Sequence, residues 1–114
     1  MKITNIENFI VDAGWRPWGF VKVETDEGIT GWGECSDGRS PHGVAGTIED
    51  LKPVLLGKDP REFETRFWDM YRATRQSPGG IAAKALAGLD CAFIDIKAKS
   101  LGLSVPELFG GPTR

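Results

Sequence analysis

At 114 residues, with 40% hydrophobic and 26% charged side chains, the chain holds enough apolar material for one modest core and too much for a disordered segment. Its formal charge of −2, from 14 bases and 16 acids dispersed along the sequence, leaves no basic stripe to neutralise phosphates and argues against a nucleic-acid partner. No run nears the roughly 20 apolar residues that cross a bilayer, and Asn5, Glu7 and Asn8 stand where a secretory leader would carry its apolar segment, so the expected setting is cytoplasmic with no membrane contact.

The first third has the chemistry of strands. Residues 3–11 are rich in β-branched and aromatic side chains with an imperfect alternation that suits a bulged strand. Residues 20–25 alternate more regularly, Val21, Val23 and Thr25 on one face and Phe20, Lys22 and Glu24 on the other. Asp26-Glu27-Gly28 reads as a hairpin turn in which Gly28 takes a positive φ, and residues 29–35 return as a third strand. The expectation is an antiparallel meander. Gly28, Gly31 and Gly33 do not make a dinucleotide loop, because their order is wrong and no helix follows directly.

The remainder is helical. Ser40-Pro41 predicts an N-cap and first position for a helix running to about Lys52, with Pro53 ending or kinking it. Asp59-Pro60-Arg61-Glu62 predicts a boxed start for a second helix, whose face is Phe63, Phe67, Met70 and Thr74. Ser77-Pro78 opens a third with the stripe Ala82, Leu86, Leu89, Phe93 and Ile96, stopped by Gly102. A single turn over residues 104–109 follows, and Asp95 and Lys99 are spaced as a surface ion pair. Strands followed by helices give an α+β fold, a three-stranded antiparallel meander and then a helical bundle on one face of it. Cys91, inside the third helix, reads as a small buried hydrophobe, and the two cysteines with the single His42 do not make a zinc site.

The third helix is also rich in Ala and Gly around much of its circumference, which suits either a bridge between two packed bodies or simple helix propensity. Residues 85–99, ALAGLDCAFIDIKAK, followed by Ser104-Val105-Pro106-Glu107-Leu108-Phe109-Gly110-Gly111, resemble the amino-terminal signature of the mandelate racemase/muconate lactonizing enzyme group of the enolase superfamily. Phe93 departs slightly, standing where that group more often has Leu or Ala. Gly28-Ile29-Thr30-Gly31-Trp32-Gly33-Glu34 resembles the group's turn into its third strand, and Leu56-Gly57-Lys58-Asp59-Pro60 its link between two helices.

The resemblance implies a two-domain enzyme in which an N-terminal domain, here residues 1–114, caps the mouth of a modified TIM barrel. Residues 104–114 would then lead into a barrel missing from this chain. In such enzymes three barrel carboxylates bind Mg²⁺, and a Lys or His removes the proton α to a substrate carboxylate. Nothing in this chain offers that machinery, so no catalytic or metal-binding residue is expected in it and the chain by itself is expected to be inactive. By position, residues 13–19 and 36–43 match the two loops that close over substrate. Their candidate substrate-binding residues are Trp15, Arg16, Trp18, Arg39 and His42, with the Trp rings excluding water and the Arg residues holding a distal carboxylate or hydroxyls. The alternative is that the Trp residues cover a satellite core, that Arg39 and His42 are solvated, and that Asp37 makes an Asx-turn.

The polar second loop favours a polyhydroxylated acid, and so a Mg²⁺-dependent acid-sugar dehydratase as the parent enzyme; a racemase, a cycloisomerase or a stand-alone binding module are the alternatives. If the third helix packs on the cap through its stripe, then Ala85, Ala92 and Leu101 face the barrel. Without it the chain is expected either to be marginally stable or to self-associate through that helix and the Phe109 turn.

Overall fold

Residues 1–114 are all described in a computed structural model. The strands are β1 (Ile3–Asp12), β2 (Pro17–Thr25) and β3 (Thr30–Glu34), paired antiparallel in the order β1-β2-β3. The irregular alternation of β1 is a register shift between Ile3 and Asn5, beyond which Ile6 faces Val23 and Phe9 faces Phe20. Val21, Val23 and Thr25 point inward as their spacing predicts. Burying Thr25 is inexpensive because its hydroxyl donates to the Ile29 carbonyl at 2.8 Å and accepts from the Ile29 amide. The turn between them sets Gly28 at φ +76°.

Four helices follow: α1 (Pro41–Leu55), α2 (Phe63–Thr74), α3 (Gly80–Ser100) and α4 (Val105–Leu108). α1, α2 and α3 bury Val44, Ile48, Leu51, Met70, Leu86, Leu89, Phe93 and Ile96 in one core with the inner sheet face. α3 lies against β3, and the reason is steric. A Cβ on Gly31 or Gly33 would strike the carbonyl oxygens of Ala92 and Gly88, so two glycines of the strand and the small residues of the helix let the backbones meet. Asp95 and Lys99 do form an ion pair at 2.7 Å, and they do more. Asp95 accepts from the Trp32 amide and Lys99 donates to the Thr30 carbonyl, which closes the outer edge of β3.

The structure corrects several expectations. Ala85 and Ala92 do not face outward; both are fully buried, and of the expected seam only Leu101 is exposed. The small residues of α3 serve the sheet, and its free side is Ala83, Lys84, Ala87 and Cys91. Cys91 is therefore exposed, while Cys35 is buried. Self-association through a seam of Ala85 and Ala92 has no surface to use. Ser40 makes no side-chain capping bond, and Pro53 lies inside α1 near its end. α2 begins at Phe63 because the Asp59 carboxylate binds the Arg61 amide and guanidinium and no helical amide. α3 begins at Gly80, with Gly79 as its N-cap and both at positive φ, not at Ser77. Arg66 is buried within α2, its Nε donating to Asp69 at 3.0 Å, which a stripe of apolar residues does not foresee. α4 carries the full capping box, Ser104 with Glu107.

Candidate functional site

The two connections at one end of the sheet are short and tightly tied. In the first, the Asp12 carboxylate accepts from the Gly14 amide at 2.8 Å, Gly14 sits at φ +90°, and the Ala13 amide closes the turn on the Arg16 carbonyl. This turn throws Trp15 into solvent, 76% exposed, and lays the Arg16 guanidinium 4.5 Å from the centre of its ring. Arg16 Nε is buried and has no hydrogen-bond partner. A guanidinium held against an aromatic ring keeps N–H groups that can donate to carboxylate or hydroxyl oxygens.

The second connection is ordered by Asp37. One carboxylate oxygen accepts from the amides of Arg39 and Ser40 at 2.8 and 2.7 Å, the predicted Asx-turn, and the other pairs with Lys84 of α3 at 2.5 Å. The Lys84 hydrogen bond, with those from the two amides, holds the Asp37 carboxyl well below the usual carboxylate range. Just before it, the Ser36 hydroxyl accepts from the Gly19 amide at 3.0 Å and donates to Glu34 at 2.7 Å, pinning the loop to β2.

These ties bring the loops together in one open recess of about 240 Å³, lined by Arg16, Glu34, Cys35, Ser36, Lys84 and Ala87. Its charged groups are two cations and a carboxylate, with the Asp37 carboxylate already bound to one of the cations. Such a lining can hold carboxylate and hydroxyl oxygens.

The five candidate residues divide. Trp15 and Arg16 are in direct contact, and Arg16 lines the recess. Trp18 does not belong to the loop, because β2 begins at Pro17; it faces outward beside Phe20, ring centres 6.2 Å apart. Arg39 is exposed, and its backbone amide donates to Asp37. His42 is exposed in the first turn of α1. Sequence reading missed Lys84, Glu34 and Ser36. Ser36 is the first residue of the second loop and Glu34 ends the strand before it, but Lys84 meets Asp37 across 47 positions, a pairing that no local pattern encodes.

No three His, Cys, Asp or Glu side chains converge at metal-binding distance in the chain. A hard divalent cation such as Mg²⁺ needs convergent carboxylate oxygens, so the residues present here do not fit one.

Comparison with known proteins gives this geometry its relatives. The family profile described as "Mandelate racemase / muconate lactonizing enzyme, N-terminal domain" matches residues 12–110. A D-galactonate dehydratase of Xanthomonas campestris pv. campestris is 44% identical over 100% of this chain and 29% of its own length. The crystal structure of an enolase from Pantoea ananatis with bound D-gluconate and Mg has a TM-score of 0.92 at 36% identity, covering 98% of this chain and 28% of that one. The 3,6-anhydro-D-galactonate cycloisomerase from Zobellia galactanivorans has a TM-score of 0.92 at 31% identity, covering 100% of this chain and 33% of that one. The chain thus spans about 29% of the curated relative's length. With the profile covering most of its residues, the chain belongs to the mandelate racemase/muconate lactonizing enzyme family and corresponds to that family's N-terminal domain.

Proposed function

We propose that residues 1–114 form the substrate-capping domain of an acid-sugar dehydratase, with the recess between residues 13–16 and 34–40 closing over the substrate end remote from the reacting carbon. The observation that carries this reading is Arg16, stacked on Trp15 with a buried Nε that no group of the chain satisfies. The Arg16 side chain lines the recess, where a charge-assisted hydrogen bond to a substrate oxygen is worth roughly 1.5–3 kcal/mol. Glu34 and Ser36 on the same recess suit hydroxyl groups, and the mixed charge suits a polyhydroxylated chain better than an apolar ring. In this reading Trp15, in contact with Arg16, shields the recess from water, while Trp18, Arg39 and His42, which do not line it, meet substrate only from outside it.

The dehydratase reading is supported by the name of the Xanthomonas relative, and the gluconate in the Pantoea structure supports an acid sugar as its substrate. The cap fold also serves a cycloisomerase, so the reaction type is set elsewhere and a racemase or cycloisomerase stays the alternative. In this reading Mg²⁺ belongs to the second domain, where it would stabilise charge developing on the substrate carboxylate.

The test is turnover by the whole protein, this chain joined to its catalytic domain, against aldonates, aldarates and non-sugar acids. Loss of water from an aldonate to give a 2-keto-3-deoxy acid is expected. Turnover confined to a cycloalkenoate or an amino-acid derivative would contradict it.

A further inference from the structure

Between α2 and α3 lies a second depression of about 290 Å³, which shares Ala87 with the loop recess. Its walls are mostly apolar, with Phe67 and Tyr71 from α2 and Ala83 and Leu86 from α3, and its one charged lining residue is Asp90. The Phe67 and Tyr71 rings are stacked with centres 6.3 Å apart, and Tyr71 stays 41% exposed. Asp90 Oδ1 is buried and has no hydrogen-bond partner. The charge that acts on it, Glu64, has the same sign, and burial and Glu64 together push its carboxyl above the usual range. The lysines of α3 are engaged elsewhere: Lys84 with Asp37, Lys97 over the Phe63 ring and Lys99 with Asp95.

Asp90 is half-buried, and its one buried, unpaired oxygen at the wall of an apolar groove has a cost that the isolated chain does not offset. The field there is negative, so an anionic occupant is repelled, and a neutral apolar occupant leaves the carboxylate unpaired. We propose that this groove receives a protein segment presenting an arginine or lysine side chain, its alkyl stem against Phe67, Tyr71 and Leu86 and its cationic head on Asp90. The side chain matches the groove in both halves, since its stem is apolar and its head forms charge-assisted hydrogen bonds. The neighbouring rings add attraction for the cation. This inference does not depend on which substrate the loops close over.

The test uses the 114-residue chain labelled with ¹⁵N and two near-isosteric side-chain mimics at constant ionic strength, cationic butylguanidinium and neutral butylurea. Butylguanidinium should shift the amide signals of Tyr71, Ala83 and Asp90 saturably, with a midpoint at least about tenfold below that of butylurea. Asp90→Asn should abolish that preference while leaving the spectrum dispersed. Ala83→Trp, which fills the groove without altering the carboxylate, should remove binding of both compounds. Equal midpoints, shifts scattered outside the groove, no saturable shift, or a preference that survives Asp90→Asn would overturn the proposal.

Discussion

Asp37 holds two backbone amides and the Lys84 ammonium at once, and so fixes both the shape of the second loop and its distance from α3. Because folding lowers its pKa from the ordinary 3.8, the stabilisation is present at neutral pH and is lost as pH falls below about 4 through the depressed value. Asp37→Asn should therefore lower Tm at pH 7 and narrow the gap in Tm between pH 7 and pH 3. An unchanged gap would show that the contacts contribute nothing to folding. In the proposed function Arg16 has the converse profile, a group that meets the ligand and has little to do in the fold. In the whole protein, Arg16→Ala should reduce kcat/KM by about tenfold or more, since a charged hydrogen bond is worth roughly 1.5–3 kcal/mol, with Tm within a degree or two of the parent. Unaltered kinetics would remove Arg16 from substrate recognition. The residue types of both loops were legible from the sequence, and so was the Asx-turn. Their partners were not, since Ser36 answers to Gly19 and Lys84 to Asp37 only after the sheet and α3 have assembled.

Among the elements, β3 and α3 are the least tolerant of change. Gly33→Ala places a Cβ against the Gly88 carbonyl oxygen, which is backbone and cannot rotate away, and the strand must lift from the helix. A loss of about 3 kcal/mol is expected. Gly38→Ala is the comparison, since its Cβ meets nothing within 4 Å, and a change under about 0.5 kcal/mol is expected there. Urea unfolding of the two variants with equal midpoints would contradict the close packing. The same contact explains what the periodic pattern of α3 conveyed. Leu86, Leu89, Phe93 and Ile96 follow helical spacing and face the core as predicted. Ala85, Gly88 and Ala92 form a second buried stripe, which reads in sequence as general smallness because its partners are two strand glycines some 60 positions earlier. α1 begins where expected, with Ser40 as N-cap and Pro41 as its first residue, although the Ser40 side chain makes no capping bond. The starts of α2 and α3 differ from expectation, and at α2 the reason is that Asp59 has the right chemistry for a cap but binds Arg61 instead. Ser40→Ala should accordingly cost less than about 0.5 kcal/mol, where a capping serine would cost about 1.

For the whole molecule, the order of strand-rich and helix-rich segments carried the α+β architecture, and the three sequence resemblances carried the family, because each depends on patterns along the chain. The recess depends on juxtaposition across it and emerged only in three dimensions. The central claim is that this recess closes over an acid sugar. Hydrogen exchange followed by mass spectrometry on the whole protein, with and without a saturating non-reacted acid-sugar analogue, tests it most directly. Amides of residues 13–16 and 36–42 should slow by about tenfold or more on binding, as expected when exposed loops are held closed, while the interior of the sheet is unchanged. Exchange in both loops that stays the same under saturating analogue would contradict the account.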